Sequence, residues 1–258
     1  MLKNKTIIVT GSSSGIGLAI AKHCVELGAN VVLHGTRENL LQQACETLGP
    51  QSTYLAADLA KPETAQQLVD HALKHFDRLD GIVNNAGVFP RSNIAQVDAD
   101  SFDWVFAVNT RAPMLLAQAA VKVFRDQKTA GSIVNIGSIN AYCGQTDLLI
   151  YSMSKGALMT MTRNLGDSLS AENIRVNQLN VGWTLTETEH QTQLKEGQPE
   201  DWLDKVPQAF APTGTILRPE QIAPHAAFWL SDQSIPVTGQ VYELEQYPMI
   251  GRSKIAER

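Results

Sequence analysis

Short β-branched runs alternate with longer stretches of helical periodicity along the whole chain, and few folds accommodate that alternation. Thr6-Ile7-Ile8-Val9-Thr10 has the make-up of a buried strand. Residues 15–28 then bring Ile16, Ile20 and Cys24 toward one helical face before Gly28 stops the helix. The next unit starts at Asn30-Val31-Val32-Leu33-His34, with a helix over 38–48 and a third strand at Thr53-Tyr54-Leu55. A helix over 62–76, a strand at Gly81-Ile82-Val83, a helical region over about 99–127 and a strand at 132–136 extend the pattern. A helix over 151–170, a strand at 174–178, a helix over 219–231 and a strand at 240–244 complete it. Parallel strands need crossover connections. Seven strands separated by helices therefore predict an α/β fold, a doubly wound and mostly parallel sheet with helices on both faces.

No Pro/Gly/Ser-rich linker or shift in composition divides the 258 residues, so one domain over 1–258 is expected. The polar, Trp-containing stretch over about 183–216 predicts one or two short helices forming a substrate lid. A formal charge of -5 with no Lys/Arg stripe argues against a nucleic-acid partner. No apolar run approaches the ~18 residues of a membrane span, and the start leads directly into a strand rather than a signal sequence. Cys24, Cys45 and Cys143 are odd in number and widely spaced, as free thiols in a reducing compartment would be, so a cytoplasmic location is expected. His71 and His75 share a helical spacing but lack a companion acid or cysteine set, and no metal site is expected.

Thr10-Gly11-Ser12-Ser13-Ser14-Gly15-Ile16-Gly17 lies where the first strand should turn into the first helix. Glycines there let the backbone bend sharply and approach a pyrophosphate, whose charge meets the free N–H groups and positive end of the helix. The spacing is Gly-x-x-x-Gly-x-Gly, not the commoner Gly-x-Gly-x-x-Gly. A turn that merely needs glycine would look the same. The strand before it and the helix after it favour dinucleotide binding, and with it a Rossmann-type domain.

Taken with Tyr151-Ser152-Met153-Ser154-Lys155, this turn gives a chain that resembles the classical short-chain dehydrogenases/reductases over nearly its whole length. Asp58 after strand three, Asn84-Asn85-Ala86-Gly87 after strand four, Asn109 in the long helix and Ser138 after strand five all match in order and spacing. The resemblance implies the same doubly wound fold and an oxidoreductase moving a hydride between a nicotinamide dinucleotide and an alcohol or carbonyl. It implies a catalytic set of Asn109, Ser138, Tyr151 and Lys155. Cofactor contacts would come from Gly11, Ser13, Ser14, Gly15, Ile16 and Gly17, from Thr36 and Arg37, and from Asp58 and Leu59. Asn85, Ala86, Gly87, Tyr151, Lys155, Gly182, Thr184 and Thr186 would supply the rest. A homotetramer is implied as well, with Leu158, Met159, Met161 and Leu165 available either to partners or to the core. Two departures stand out: Val181-Gly182 where the family has Pro-Gly, and Glu245-Gln246-Tyr247 where it has Asp-Gly-Gly.

Negative charge builds on a carbonyl oxygen during reduction, so the site needs a proton donor and something to stabilise that charge. A free tyrosine gives up its proton reluctantly at neutral pH. Lys155 lies one helical turn after Tyr151 on the same face, where a cation favours the phenolate. The resemblance makes Tyr151 the acid or base and Lys155 the group that lowers its pKa and bonds the nicotinamide ribose. It makes Ser138 the group that orients the substrate oxygen, and Asn109 the holder of a water linking Lys155 to solvent. Taken singly, Tyr151 and Lys155 fit a surface helix pair, Ser138 a cap or turn, and Asn109 a helix residue bonding its own backbone.

The second strand runs into His34-Gly35-Thr36-Arg37 with no acid before Glu38, so NADP(H) is favoured over NAD(H), with Arg37 on the extra phosphate and Thr36 assisting. An exposed first-turn Arg37 and a capping Asp58 are the plainer alternatives. The resemblance places Asn140, Gln145 and Trp183 around the substrate, with Tyr142, His190 and Trp202 nearby. That mixture suits a small polar alcohol, polyol or sugar. A 3-oxoacyl-(acyl-carrier-protein) reductase is the alternative within the family, with Glu172 standing where a basic residue would suit the acidic carrier. A non-catalytic dinucleotide sensor is the alternative outside it.

Overall fold

The computed structural model describes residues 1–142 and 144–249; Cys143, expected to be a free thiol, lies outside the described residues. The sheet holds β1 (Thr6–Val9), β2 (Asn30–Gly35), β3 (Ser52–Ala56), β4 (Gly81–Asn84), β5 (Ser132–Ser138), β6 (Arg175–Val181) and β7 (Val241–Leu244). Their order is β3-β2-β1-β4-β5-β6-β7, and every pairing is parallel. The chain reverses its direction of winding between β1 and β4. In open α/β sheets, ligands bind at that switch point, beyond the carboxyl ends of the strands.

Alternation along β1 divides the core. Ile7 and Val9 face Ile20 and Cys24 of α1 (Gly15–Glu26) and Ile222, Ala226 and Leu230 of α8 (Pro219–Leu230). Ile8 faces the other way, toward Leu68 and Val69 of α3 (Thr64–Phe76) and Leu116, Ala120 and Phe124 of α5 (Ala112–Gln127). Each fully buried Ile, Val, Leu or Phe among them contributes about 1.5–3 kcal/mol of transfer free energy. α2 (Glu38–Leu48) covers the β2–β3 edge through Leu41 and Ala44.

The helical region expected over 99–127 is interrupted where it matters. α4 (Ala99–Phe106) passes into a π-helical segment, Ala107–Arg111, before α5 begins. Pro113 has no N–H to return to the Asn109 carbonyl, and Ala112 donates five residues back to Ala107 instead. The wider turn carries Asn109, fully buried, inward. α6 (Leu149–Ser168) then lies across β5 and β6, with Leu158 in the protein interior and Met159, Met161 and Leu165 half-buried. The 183–216 stretch contains α7 (Glu187–Lys195), a 3-10 turn at Trp202–Lys205 and a small core of its own around Trp202, Ala211 and Ile216. No helix among the described residues is long and apolar enough to cross a membrane.

Candidate active site

The turn between β1 and α1 is tied down by its neighbours. The Thr10 hydroxyl accepts the N–H groups of Asn85 (3.0 Å) and Ala86 (3.1 Å), and the Asn85 amide donates to the carbonyls of Thr10 and Gly11. A Cβ on Gly17 would overlap the Gly11 carbonyl oxygen, so only glycine lets the helix start this close to the turn. Ser14, at the N-cap of α1, makes no side-chain cap bond, and the first turn carries no acid. The positive end of α1 and its first N–H groups are thus directed outward, as an anionic pyrophosphate requires. Thr186 stands 3.3 Å from where a Gly15 side chain would begin, which brings the start of α7 onto the same turn. These residues fit a dinucleotide.

His34 is a member of this framework that the sequence showed only as a strand end. Its Nδ1 accepts the Gly11 N–H (3.4 Å), its Nε2 donates to the Ala57 carbonyl (3.1 Å), and its backbone exchanges bonds with Ser12. Burial holds its pKa down at about 4, with the Ala57 bond and the Asp58 charge opposing, so the ring is neutral at pH 7. Arg37 lies beside it at the surface, donating to Ser14 Oγ (2.9 Å) and Ser13 Oγ (3.3 Å). Asp58 is exposed and accepts the Ala60 N–H (2.8 Å) within a local turn; it is not a helix cap, since α3 is capped at Glu63. Leu59 is a core side chain, so any contact it makes with a cofactor would come from its backbone.

Beyond β5, three of the four expected catalytic groups meet. Ser138 ends the strand; its hydroxyl accepts the Asn140 N–H (3.1 Å) and hydrogen-bonds the Tyr151 phenol. Lys155 Nζ donates to the Ile136 carbonyl (2.8 Å) and lies 5.8 Å from the centre of the Tyr151 ring. Phe89, absent from the sequence-based set, packs edge-on against Tyr151 at 6.1 Å. Gly87 brings the β4 end within 3.5 Å of Lys155 Nζ and Asn109 Oδ1, measured from where a side chain would begin.

One expectation needs correcting. Tyr151 is not held low by Lys155: burial pushes the phenol up, the Ser138 bond opposes this, and the Glu189 charge adds to the rise. Lys155 is a weakened cation, because burial brings its own pKa down to about 8. Asn109, expected to hold a water, commits its side chain to protein groups. Its Oδ1 accepts the Val88 N–H (2.8 Å), and its amide donates to the Val88 carbonyl (2.8 Å) and Ser154 Oγ (3.0 Å). Asn84 is likewise structural. It starts a buried chain running from its amide to Asn135, then to Thr162, Gln178 and Asn180, which locks β4, β5 and β6 in register.

Trp183 follows β6 at the start of the 183–216 stretch. Its N–H donates to Glu245 (3.0 Å), its carbonyl accepts the Leu217 N–H (3.0 Å), and its ring stacks on Trp202 at 5.6 Å. Both departures from the family pattern meet here, since the Glu245 carboxylate occupies the space a Gly182 side chain would need and fixes the backbone that follows Val181. Thr184 bonds the Gly182 carbonyl (3.0 Å), and His190 Nδ1 accepts the Trp202 indole N–H (3.0 Å). Glu189, also missed, accepts the Trp183 indole N–H at 2.8 Å. The signal for it was the Thr186-Glu187-Thr188-Glu189 pattern of a helix start: Thr186 Oγ1 accepts the Glu189 N–H, while the Glu189 side chain turns to Trp183. Gln145 is exposed in a turn, and Glu172 is held by Arg125 in two bonds of 2.6 Å; neither joins these groups.

A family model described as enoyl-(acyl carrier protein) reductase matches residues 11–245. L-xylulose reductase of Caenorhabditis elegans is 33% identical over 246 residues, covering 94% of this chain and 94% of that protein. Among solved structures, the 3-ketoacyl-(acyl-carrier-protein) reductase from Brucella melitensis complexed with NADH superposes with a TM-score of 0.83 at 27% identity, covering 94% of this chain and 97% of that one. A short chain dehydrogenase/reductase family protein superposes at 0.82 with 31% identity, covering 94% and 96%.

Proposed function

Because this chain belongs to the short-chain dehydrogenase/reductase family of oxidoreductases acting on CH–OH or C=O groups, we propose that it interconverts a small polar alcohol, polyol or sugar and its carbonyl with NADP(H), using Tyr151 as general acid and base. The observation that carries this reading is the Tyr151 phenol bonded to Ser138 beside buried Lys155. The bound nicotinamide supplies or accepts the hydride. The glycine turn and the start of α1 hold its pyrophosphate, Arg37 and Thr36 its additional phosphate, and Asp58, Leu59, Asn85, Ala86, Gly87, Gly182, Thr184 and Thr186 line its path.

During reduction the substrate oxygen accepts hydrogen bonds from Ser138 and Tyr151, and Tyr151 gives its proton as charge develops on that oxygen. A phenol held above its ordinary value is protonated at neutral pH, which suits this direction. In the reverse direction Tyr151 must first lose its proton, so oxidation quickens as pH rises. Lys155 bonds the ribose. The Asn109 carbonyl, which Pro113 cannot bond, holds the water that links Lys155 to solvent. Residues 183–216 act as the lid, with Asn140 and Trp183 touching substrate.

The outer edge of β7, with Phe228 and Tyr242 exposed beside it and Trp104, Met114 and Met153 exposed elsewhere, supports a homotetramer. The enzyme works in the cytoplasm on a free small molecule. The similarity to a carrier-protein reductase favours one other reading, reduction of 3-oxoacyl carrier protein. Following nicotinamide absorbance with a panel of ketones, sugars, polyols and acetoacetyl carrier protein separates the two: faster turnover of the carrier substrate than of the small ones overturns the proposal.

A further inference from the structure

We propose that Glu189 is a specificity-determining residue, a fixed carboxylate on the substrate side of Tyr151 that favours neutral, hydroxyl-bearing substrates and turns away anionic ones. The inference rests on the oxidoreductase reading above and names the charge class of its substrate.

Glu189 is held from several directions. Its N–H caps back to Thr186 Oγ1 (3.1 Å), and its Oε1 accepts both the Trp183 indole N–H and the Gln193 amide at 2.8 Å. Trp183 is itself immobilised through Glu245, Leu217 and the Trp202 ring. A carboxylate anchored through one oxygen to a fixed indole keeps its place when substrate enters, and the other oxygen faces away from those two donors. An acid in the first turn of a helix is usually explained by the helix dipole. Exposed Glu187, in the same turn of α7, meets that need without turning inward, whereas Glu189 is half-buried and bonded across to the wall.

Two further observations give the charge a direction. α7 runs from the glycine turn, where Thr186 stands 3.3 Å from the start of a Gly15 side chain, to the segment after β4, where Phe89 packs on Tyr151 and Arg91 bonds Glu196, and the Glu189 charge is felt at the Tyr151 phenol. Its field also reaches Arg91, but that guanidinium is already held by Glu196 in bonds of 2.5 and 3.1 Å and lies 4.0 Å from Asp147. Three carboxylates, Glu189, Glu196 and Asp147, share the field of this one guanidinium, so Arg91 does not neutralise Glu189. A hydroxyl-bearing substrate can donate to a carboxylate there. A substrate carboxylate or phosphate meets repulsion, which is stronger where water is partly excluded.

The test compares hydroxyacetone with pyruvate, which have the same carbon skeleton and differ in charge beside the reacting carbonyl. The native enzyme should prefer hydroxyacetone, and Glu189→Gln, which keeps an oxygen for Trp183, should shift the kcat/KM ratio toward pyruvate by about tenfold. An unchanged ratio overturns the proposal. In the native enzyme alone, a higher kcat/KM for pyruvate than for hydroxyacetone overturns it too, and this arm decides should the variant fail to fold. Failure of the native enzyme to turn over any member of the wider panel would instead strike the oxidoreductase reading itself.

Discussion

The two ends of the site are built differently. The proposed cofactor end, from β1 to the segment after β4, is held by backbone and short side chains: Thr10, Ser12 and Asn85 bond main-chain groups, and glycine lets the turn sit against the helix. The substrate wall is held by long side chains reaching one another, with Trp183 on Glu189 and Glu245, and Trp202 on His190. The first is a fixed cradle for a ligand common to many enzymes. The second can be rewritten residue by residue without disturbing the sheet. Changes at the cofactor end should therefore alter dinucleotide affinity for every substrate, and changes in the wall should alter substrate KM at constant cofactor affinity.

The largest expected effect comes from His34. Its folded pKa of about 4 lies below the 6.5 of an unfolded histidine, so the unfolded chain binds more protons between those values. The stability it confers is fully present above pH 6.5 and is lost as pH falls toward 4, by about 3 kcal/mol. Urea unfolding at pH 7 and pH 4 should show this fall in the native protein and a smaller one in His34→Gln; equal falls would remove His34 from the framework. Gly17→Ala comes next. The new methyl must displace the Gly11 carbonyl, and at the ~1–3 kcal/mol typical of overpacking the dinucleotide Kd should rise by roughly ten- to a hundredfold, measurable by fluorescence titration. A matching change in substrate KM at saturating cofactor would break the division between the two ends.

Arg37→Ala should weaken NADPH by about tenfold and leave NADH nearly untouched; equal losses would make Arg37 an ordinary surface residue. Trp202→Phe should raise substrate KM only a few-fold, since it removes one hydrogen bond and trims a stack, while cofactor Kd stays level. In the pH profile of kcat/KM for reduction, the alkaline limb should fall near pH 8, where buried Lys155 loses its charge. A limb appearing only above pH 10 would assign it to the phenol.

The same division governs what could be foreseen. Ile7, Ile8 and Val9 alternate between two cores, and the glycine turn follows them, so both strand order and cradle were legible as local pattern. The π-helical turn at Asn109 was not, because it follows from a missing N–H at Pro113 inside an otherwise regular periodicity. His34 looked like any strand residue until the fold placed Gly11 and Ala57 on its two nitrogens. Glu189 and Glu245 act across 6 and 62 residues of sequence, and nothing in their local composition reveals what they reach. The pKa of Tyr151 was misjudged for a related reason: helical spacing shows that Lys155 is near but not how far each group is withdrawn from water.

The central claim, that Tyr151 moves the proton in a nicotinamide-dependent reaction, is tested most directly by comparing the native enzyme with Tyr151→Phe. With NADPH and the best ketone of the panel, the variant should lose about 10²–10⁴-fold in kcat while its dinucleotide Kd stays within a few-fold of native. Turnover that survives the substitution at near-native rate would contradict the account.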